Sequence, residues 1–183
     1  MSNVLRLLDD IPMLAYTYRY GFGGKEKDGA LRKLGILSNI VNQMYFPVEH
    51  IAWLGEKNII NVKDCSKWWN LCTTLWTASL IVEIIRGILI MSKLKARKRN
   101  MMHKAVNSVS SAERERHVME LGALQRKTTT EVLVIIQHTS DLCNAVHWLP
   151  AGILWSGVLK PWQVGMFGTI SSLIGLGMML RWK

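Results

Sequence analysis

Apolar residues recur at helical spacing along this chain, which predicts an all-α fold. The first amphipathic helix covers residues 4–20, and one face of it holds Val4, Leu8, Ile11, Ala15 and Tyr18. Pro12 bends or restarts this helix, and residues 21–29 form a glycine-rich break. A second amphipathic helix begins at Leu31 and is predicted to be interrupted near Pro47.

The second helix has two contrasting sides. Its apolar side carries Leu34, Leu37, Val41 and Met44. Its polar side carries Arg32, Lys33, Asn39 and Gln43. A helix of this kind lies in the headgroup layer as a membrane wedge, with its apolar side toward the acyl chains. The alternative is that the apolar side packs against the first helix in a small soluble bundle.

Residues 68–92 form an apolar block long enough to cross a bilayer. Two charges interrupt it, Glu83 and Arg86, which are three residues apart and therefore share a helical face. We predict an intramembrane charge pair, since pairing offsets much of the cost of burying each charge. Trp68 and Trp69 suit an interfacial anchor at the opposite end. The alternative is a buried helix in a soluble bundle.

The segment after this block is basic, with ten Lys or Arg against four Asp or Glu between residues 93 and 131. A charged helix is predicted to start near Ser110 or Ser111. Residues 132–158 are apolar overall, but they include polar side chains that lipid would not tolerate on a crossing helix: Gln137, His138, Asp141, Asn144 and His147. We therefore expect an amphipathic helix on the membrane or against a partner, ending at a break around residues 150–152.

The cleanest membrane signal is at the tail, where residues 161–180 contain no charge. Small residues four apart pair Gly168 with Ser172 and Ser171 with Gly175. Such spacing lets two helices approach closely in lipid, which predicts a helix-association face. The same residues could instead pack the helix within the monomer. The predicted regions are interfacial amphipathic helices at 1–67, a first transmembrane helix at 68–92, a basic loop with amphipathic helices at 93–160, a second transmembrane helix at 161–180 and a short tail at 181–183.

The 183 residues carry a net charge of +10, which suits an anionic membrane surface better than nucleic acid. Cys65, Cys72 and Cys143 form neither a disulfide framework nor a paired metal motif. His138, Asp141 and His147 do not recur on one helical face, so we expect no metal site. We also expect no catalytic residues and no cofactor. No cleavable signal peptide opens the chain.

Five blocks together resemble the peroxisomal membrane protein 11 family, and most closely its gamma type. They are "VLRLLDDIPMLAYTYRYGFG" (4–23), "MYFPVEHIAWLGEKNII" (44–60), "WWNLCTTLWTASLI" (68–81), "DLCNAVHWLPAGILWSG" (141–157) and "GTISSLIGL" (168–176). They run nearly end to end. Gamma-type members usually carry several dozen further residues ahead of the first block, and this chain starts almost on it.

The resemblance implies a multi-pass protein of the peroxisomal membrane, with two spans and both termini in the cytosol. It implies a non-enzymatic role in peroxisome elongation, proliferation and fission. The implied partners are membrane lipids, further copies of the chain, other family members, fission adaptors and a dynamin-like GTPase.

Two other functions remain as alternatives. One is a membrane pore for small metabolites, lined by Glu83, Arg86, Asp141 and the nearby histidines. The other is a soluble basic protein that binds nucleic acid, which a carbonate extraction would expose by releasing the protein. We expect no nucleic-acid partner.

Overall fold

The structure is a computed structural model that describes residues 10–24, 26–107 and 110–181. This part of the chain forms five helices and no strand. They are α1 (Asp10–Tyr20), α2 (Gly29–Glu56), α3 (Cys65–Val106), α4 (Ser111–His147) and α5 (Pro161–Arg181). The predicted all-α fold class is confirmed. Val4 and Leu8, which were predicted to share the first helical face, lie outside the described residues.

The helices pack in a row, each mainly against its neighbours in sequence. Along the α2–α3 seam, contacts step in opposite directions. Ser38 meets Glu83 and Glu56 meets Trp69, so the two helices are antiparallel. The α3–α4 pair is antiparallel for the same reason, because Lys98 contacts Gln125 while Gly87 faces Ile135. Pairs of antiparallel neighbours joined by short connections are the usual result when consecutive helices bury one face each.

The α4–α5 pair is antiparallel too. Asn144 contacts Val164 near the start of α5, and Gln137 lies beside Gly175 near its end. Because α4 runs opposite to both of its neighbours, α3 and α5 point in the same direction.

The row has two ends, which we name by their residues. The basic end contains the Asp28–Lys93 ion pair and the contact of Lys98 with Gln125. The tryptophan end contains Trp69, which donates to Glu56 at 3.0 Å. It also contains a cavity of about 490 Å³ that Trp76 and Trp148 help to line.

Side-chain caps and turns fix where the helices start and stop. Asp28 caps α2 by accepting from the backbone amides of Ala30 at 3.1 Å and Leu31 at 3.0 Å. Asp64 caps α3 by accepting from the amide of Lys67 at 3.3 Å. Helix α4 begins at Ser111, at the predicted start, and it ends at His147, ahead of the predicted break.

The predicted interruption near Pro47 is wrong, because α2 runs unbroken from Gly29 to Glu56 with the proline inside it. A proline in a helix removes one backbone hydrogen bond and normally kinks or ends the helix. Here α2 packs against α3 along its whole length, and this tertiary contact outweighs the local penalty. Helix α3 also continues beyond residue 92 through the basic segment to Val106.

Two of the described helices are long and apolar enough to cross a membrane, Cys65–Val106 and Pro161–Leu180. They contain the two predicted spans, 68–92 and 161–180. Few residues of either helix are buried within the chain, and in α5 only Ser171 is buried among the described side chains. Their surfaces are thus free to contact lipid.

Candidate functional site

The described helices place polar side chains inside and apolar side chains outside. As many polar as apolar side chains are buried, eight of each, whereas the interior of a water-soluble protein is mostly apolar. The buried polar residues are Ser38, Asn39, Glu49, Thr77, Ser79, Ser140, Asn144 and Ser171. Polar groups directed into helix seams and apolar groups directed outward are typical of helices surrounded by lipid.

The most polar seam lies between α2 and α3 and contains the predicted Glu83–Arg86 pair. Arg86 Nη1 lies 3.5 Å from Glu83 Oε2, and both side chains are about three-quarters buried, with exposures of 21% and 26%. Ser38 on α2 donates its hydroxyl to Glu83 Oε1 at 2.5 Å. The side-chain amide of Asn42 in turn donates to the Ser38 carbonyl at 2.9 Å. One carboxylate thus joins two helices. Its depth in a membrane stays a prediction.

Helix α1 joins the same polar side of α2. The Thr17 hydroxyl lies 2.7 Å from Asn39 Oδ1 and accepts from the amide of Gln43 at 2.8 Å. Asn39 is buried and Gln43 is half-buried, so neither faces outward as the sequence had suggested. The part of the polar side of α2 that carries Asn39 and Gln43 therefore faces the interior.

The four predicted wedge residues differ in exposure. Leu37 and Met44 are exposed, at 46% and 54%, whereas Leu34 and Val41 are half-buried. Ile40, which the wedge prediction omitted, is exposed at 52%. The outward side of α2 is consequently apolar, and this suits contact with acyl chains.

The predicted helix-association residues of α5 lie mostly against α4 of the same chain. A Cβ added at Gly175 would meet the Gln137 amide at 3.3 Å, and one at Gly168 would lie 3.7 Å from the Asn144 amide. Ser171 is also buried, at 7% exposure, whereas Ser172 is exposed. The small residues thus allow α4 and α5 to approach closely within one chain, which was the alternative interpretation. Self-association through this face stays a prediction.

The polar residues of α4 are used at the α5 side and at the tryptophan end. Asn144 donates its amide to the Val164 carbonyl at 3.3 Å, and His147 Nδ1 accepts from the amide of Leu159 at 3.3 Å. Asp141 is half-buried on the same helix. Among the described residues, no three His, Cys, Asp or Glu side chains converge as metal ligands. The histidine at the end of α4 orients the connection to α5.

Charged and polar side chains from three helices meet at the basic end. Lys93 forms an ion pair with Asp28, and Lys98 donates to Gln125 at 2.6 Å. The Lys93 ammonium beside Asp28 holds the pKa of that carboxyl below its usual range, and the Leu31 amide adds to the effect. A cavity of about 940 Å³ opens here, bounded by all four long helices. Its apolar walls come from Leu31, Ile90, Leu94, Leu133 and Met178.

The comparisons with known proteins agree with this membrane-protein geometry. The sequence model of the family "Peroxisomal biogenesis factor 11 (PEX11)" matches residues 3–180. The chain belongs to the peroxisomal biogenesis factor 11 family. It is 41% identical to the mouse protein named peroxisomal membrane protein 11C over 172 residues, which are 94% of this chain and 68% of that protein. It is 38% identical to the human protein of the same name over 174 residues, covering 95% of this chain and 69% of that protein. No solved structure matches the chain.

Membership in the peroxisomal biogenesis factor 11 family and the two candidate spans identify a protein of the peroxisomal membrane. The family is one of biogenesis factors and is not a known family of enzymes. The resemblance read from the five sequence blocks is confirmed by the family match and by both relatives.

Three polar residues of this family member were missed by the sequence interpretation. Ser38 and Asn39 were not assigned to a seam, and Asn144 was assigned only as an obstacle to crossing. A signal for the first two was present, because residues 38, 39, 42 and 43 are polar and lie within a helix segment that is otherwise mostly apolar. Polar residues at helical spacing in an apolar helix often mark the side that meets another helix.

Proposed function

We propose that this chain promotes the elongation, proliferation and fission of peroxisomes by shaping their membrane as an oligomer. The observation that carries the proposal is the family match over residues 3–180. The geometry supports it, since a row of helices with apolar outer surfaces displaces lipid over a wide area. Fission adaptors and a dynamin-like GTPase are the proposed downstream partners, and both termini are proposed to face the cytosol.

The proposed oligomer contains copies of this chain and of other family members. The row leaves its edges uncovered, and an edge helix can pack against another copy. On α5 the outward surface is apolar, with Trp162 exposed at 63%, Leu173 at 63% and Leu176 at 53%. Ser172, one of the four predicted association residues, lies on this helix and is exposed. Lateral assembly through such edges would concentrate the displacement of lipid in one patch of membrane.

The test is reconstitution of the full chain into liposomes with anionic lipid, followed by electron microscopy of liposome shape. We expect tubules or narrowed vesicles, and we expect Leu37→Glu to reduce them because it places a charge on the outward apolar side of α2. Met119→Glu is the matched control, since Met119 is exposed at 68% on the charged part of α4. Liposomes that keep their shape with the unaltered chain would overturn the proposal.

A metabolite pore is the second candidate function. The polar side chains that it would use include Glu83 and Arg86, which are paired with each other, and Glu83 also accepts from Ser38. Conductance measured across the same liposomes separates the two functions. Conductance without a change of liposome shape would favour the pore.

A further inference from the structure

The directions of the helices restrict how the chain can cross the membrane. Helices α3 and α5 are the two candidate spans, and they run in the same direction. Each therefore leaves the tryptophan end and arrives at the basic end. Two consecutive crossings in the same direction require a third crossing between them that returns the chain. Helix α4 is the only described helix between them.

We infer that the chain crosses the membrane four times, with α2 and α4 crossing beside α3 and α5, and with the basic end of all four helices on one side. This goes beyond the proposed function, which needs membrane insertion but no particular number of crossings. It also assigns the segment 93–131 to the same side as the carboxyl end of α5.

The depth of α4 follows from its contacts with both spans. Ile135 of α4 faces Gly87 of α3 so closely that a Cβ there would meet its Cγ1 at 2.8 Å. On the other side, Gln137 and Asn144 face Gly175 and Gly168 of α5. A helix wedged between two spans along their length lies at the depth of those spans.

The polar residues of α4 were the argument against a crossing, but none of the five is exposed: Asn144 is buried, and Gln137, His138, Asp141 and His147 are half-buried. The Asn144 amide nitrogen donates to the Val164 carbonyl, whereas its Oδ1 has no hydrogen-bond partner. The buried Ser140 hydroxyl donates to the Ile136 carbonyl. The exposed residues of the same stretch include Val132 at 38% and Ile136 at 43%. Thr139 is also exposed, but its hydroxyl donates to the Ile135 carbonyl at 2.7 Å. Polar side chains of membrane helices almost always face the interior of the bundle, and the burial of these residues fits that rule.

The case for α2 rests on its length, its charge and its contacts. Its 28 residues rise about 42 Å, more than the ~30 Å hydrocarbon core requires. Residues 34–48 hold no charge. Farther along, the buried Glu49 accepts from Tyr45 at 2.9 Å. Contacts with α3 extend from Lys93 at the basic end to Trp69 at the other, so α2 accompanies the span over its whole depth. Helix α1 is not counted, because its eleven described residues are too few to cross.

The charge pattern agrees with this topology. Residues 93–104 hold six Lys or Arg and no acidic residue, and they lie at the basic end. The loops at the tryptophan end hold three basic residues, Lys57, Lys63 and Lys160, and Lys67 lies in the first turn of α3. Basic residues concentrate on the cytosolic side of many membrane proteins. With two crossings, the basic segment and a cytosolic carboxyl end would be on opposite sides. With four crossings they share one side, and the charge pattern and the proposed orientation agree.

Cysteine labelling of the full chain in intact peroxisomes tests the inference. The three native cysteines are replaced by alanine, and single cysteines are introduced at exposed positions: Lys27→Cys, Lys63→Cys, Val106→Cys and Val158→Cys. A membrane-impermeant maleimide is added before and after permeabilisation. Four crossings predict that positions 27 and 106 react together on one side, and that positions 63 and 158 react together on the other.

Each other outcome overturns the inference. If only α3 and α5 cross, position 63 reacts with position 27, and position 158 reacts with position 106. If nothing crosses, all four react before permeabilisation. Trypsin treatment of intact peroxisomes carrying the unaltered chain gives a second measurement that needs no substitution. Four crossings with the basic end in the cytosol predict cleavage within residues 93–104, and an intact segment there contradicts that orientation. None of these measurements depends on membrane shaping, so a failed topology and a failed function are distinguishable.

Discussion

The α2–α3 seam and the α4–α5 seam join neighbouring helices by different physical means. At the first, a carboxylate is central, because Glu83 contacts Arg86 on its own helix and accepts from Ser38 across the seam. At the second, the contact depends on glycine, because Gly168 and Gly175 have no side chain and let α4 approach the α5 backbone. A charge-assisted hydrogen bond is strong, and the loss of one partner lowers stability greatly because it leaves the other charge unpaired. Close packing stabilises less, but it does not tolerate an added side chain at the contact.

Glu83→Leu should produce the largest loss of stability. It leaves the Arg86 guanidinium, 21% exposed, without its carboxylate and removes the acceptor of Ser38. We expect a loss of about 3 kcal/mol in the free energy of unfolding. The measurement is unfolding of the purified chain by SDS in detergent micelles. The double variant Glu83→Leu with Arg86→Leu is the control, and it should recover most of the loss. Equal losses in the single and double variants would show that the pair is unimportant.

Gly175→Leu should have the next largest effect, at the α4–α5 seam. Its Cβ would approach the Gln137 amide at 3.3 Å, and the rest of the side chain would separate the helices. We expect a loss of about 1 to 2 kcal/mol in the same assay. Gly177→Leu is the matched control, because nothing lies within 4 Å of a Cβ at that position.

The same pair of glycine variants tests self-association by co-precipitation of differently tagged copies. If the seam acts only within one chain, Gly175→Leu lowers stability and the copies still associate. Loss of association without loss of stability would instead show that the face joins two chains.

Asn144→Leu should have a smaller effect at the second seam. It removes the hydrogen bond to the Val164 carbonyl and puts an apolar side chain of similar size in place of the amide. Hydrogen bonds between membrane helices contribute about 0.6 kcal/mol on average, so we expect a loss near that value. Thr139→Val, which removes an exposed hydroxyl bonded within its own helix, is the control. A loss as large as that of Gly175→Leu would mean that hydrogen bonding, and not close packing, holds this seam.

The smallest effect is expected at the edge of the first seam, where Asp28 pairs with Lys93. The pKa of Asp28 is lowered in the folded chain, so the pair stabilises above the ordinary pKa of an aspartate, about 4. That contribution is lost as pH falls through the lowered value. Asp28→Asn keeps a good helix cap but removes the charge. It should slightly lower stability at pH 7 and leave it unchanged below the lowered pKa. A loss that is equal at both pH values would assign the effect to the cap.

Local features of both seams could be predicted from the sequence, whereas the partner helices could not. Glu83 and Arg86 are three residues apart on one helix, so their proximity follows from helix geometry alone. Ser38 is 45 residues before Glu83, and nothing local connects them. Likewise, the four-residue spacing of Gly168 with Ser172 and of Ser171 with Gly175 indicated a close approach between helices. It left open whether the partner was another helix of the same chain or a second copy.

Pro47 shows that a local signal can also mislead. The proline predicted an interruption of α2, but the helix is continuous because it packs against α3. The polar side of α2 shows a third limit. Arg32 and Lys33 are exposed, as predicted, but Asn39 is buried. A helical pattern divides a helix into a polar side and an apolar side. The pattern does not tell whether the helix lies in water or in lipid, and in lipid it is the apolar side that faces outward.

The outward side of α2 is expected to contact acyl chains. A nitroxide attached at Met44 in the full chain, reconstituted into liposomes, measures this contact. Met102 is the matched control, since it is exposed at 50% against 54% for Met44 but lies near the carboxyl end of α3, past Lys98. We predict that the label at Met44 is relaxed by oxygen and shielded from a water-soluble nickel complex, while the label at Met102 shows the reverse. Equal access of the nickel complex to both labels would show that the outward side of α2 does not lie against acyl chains.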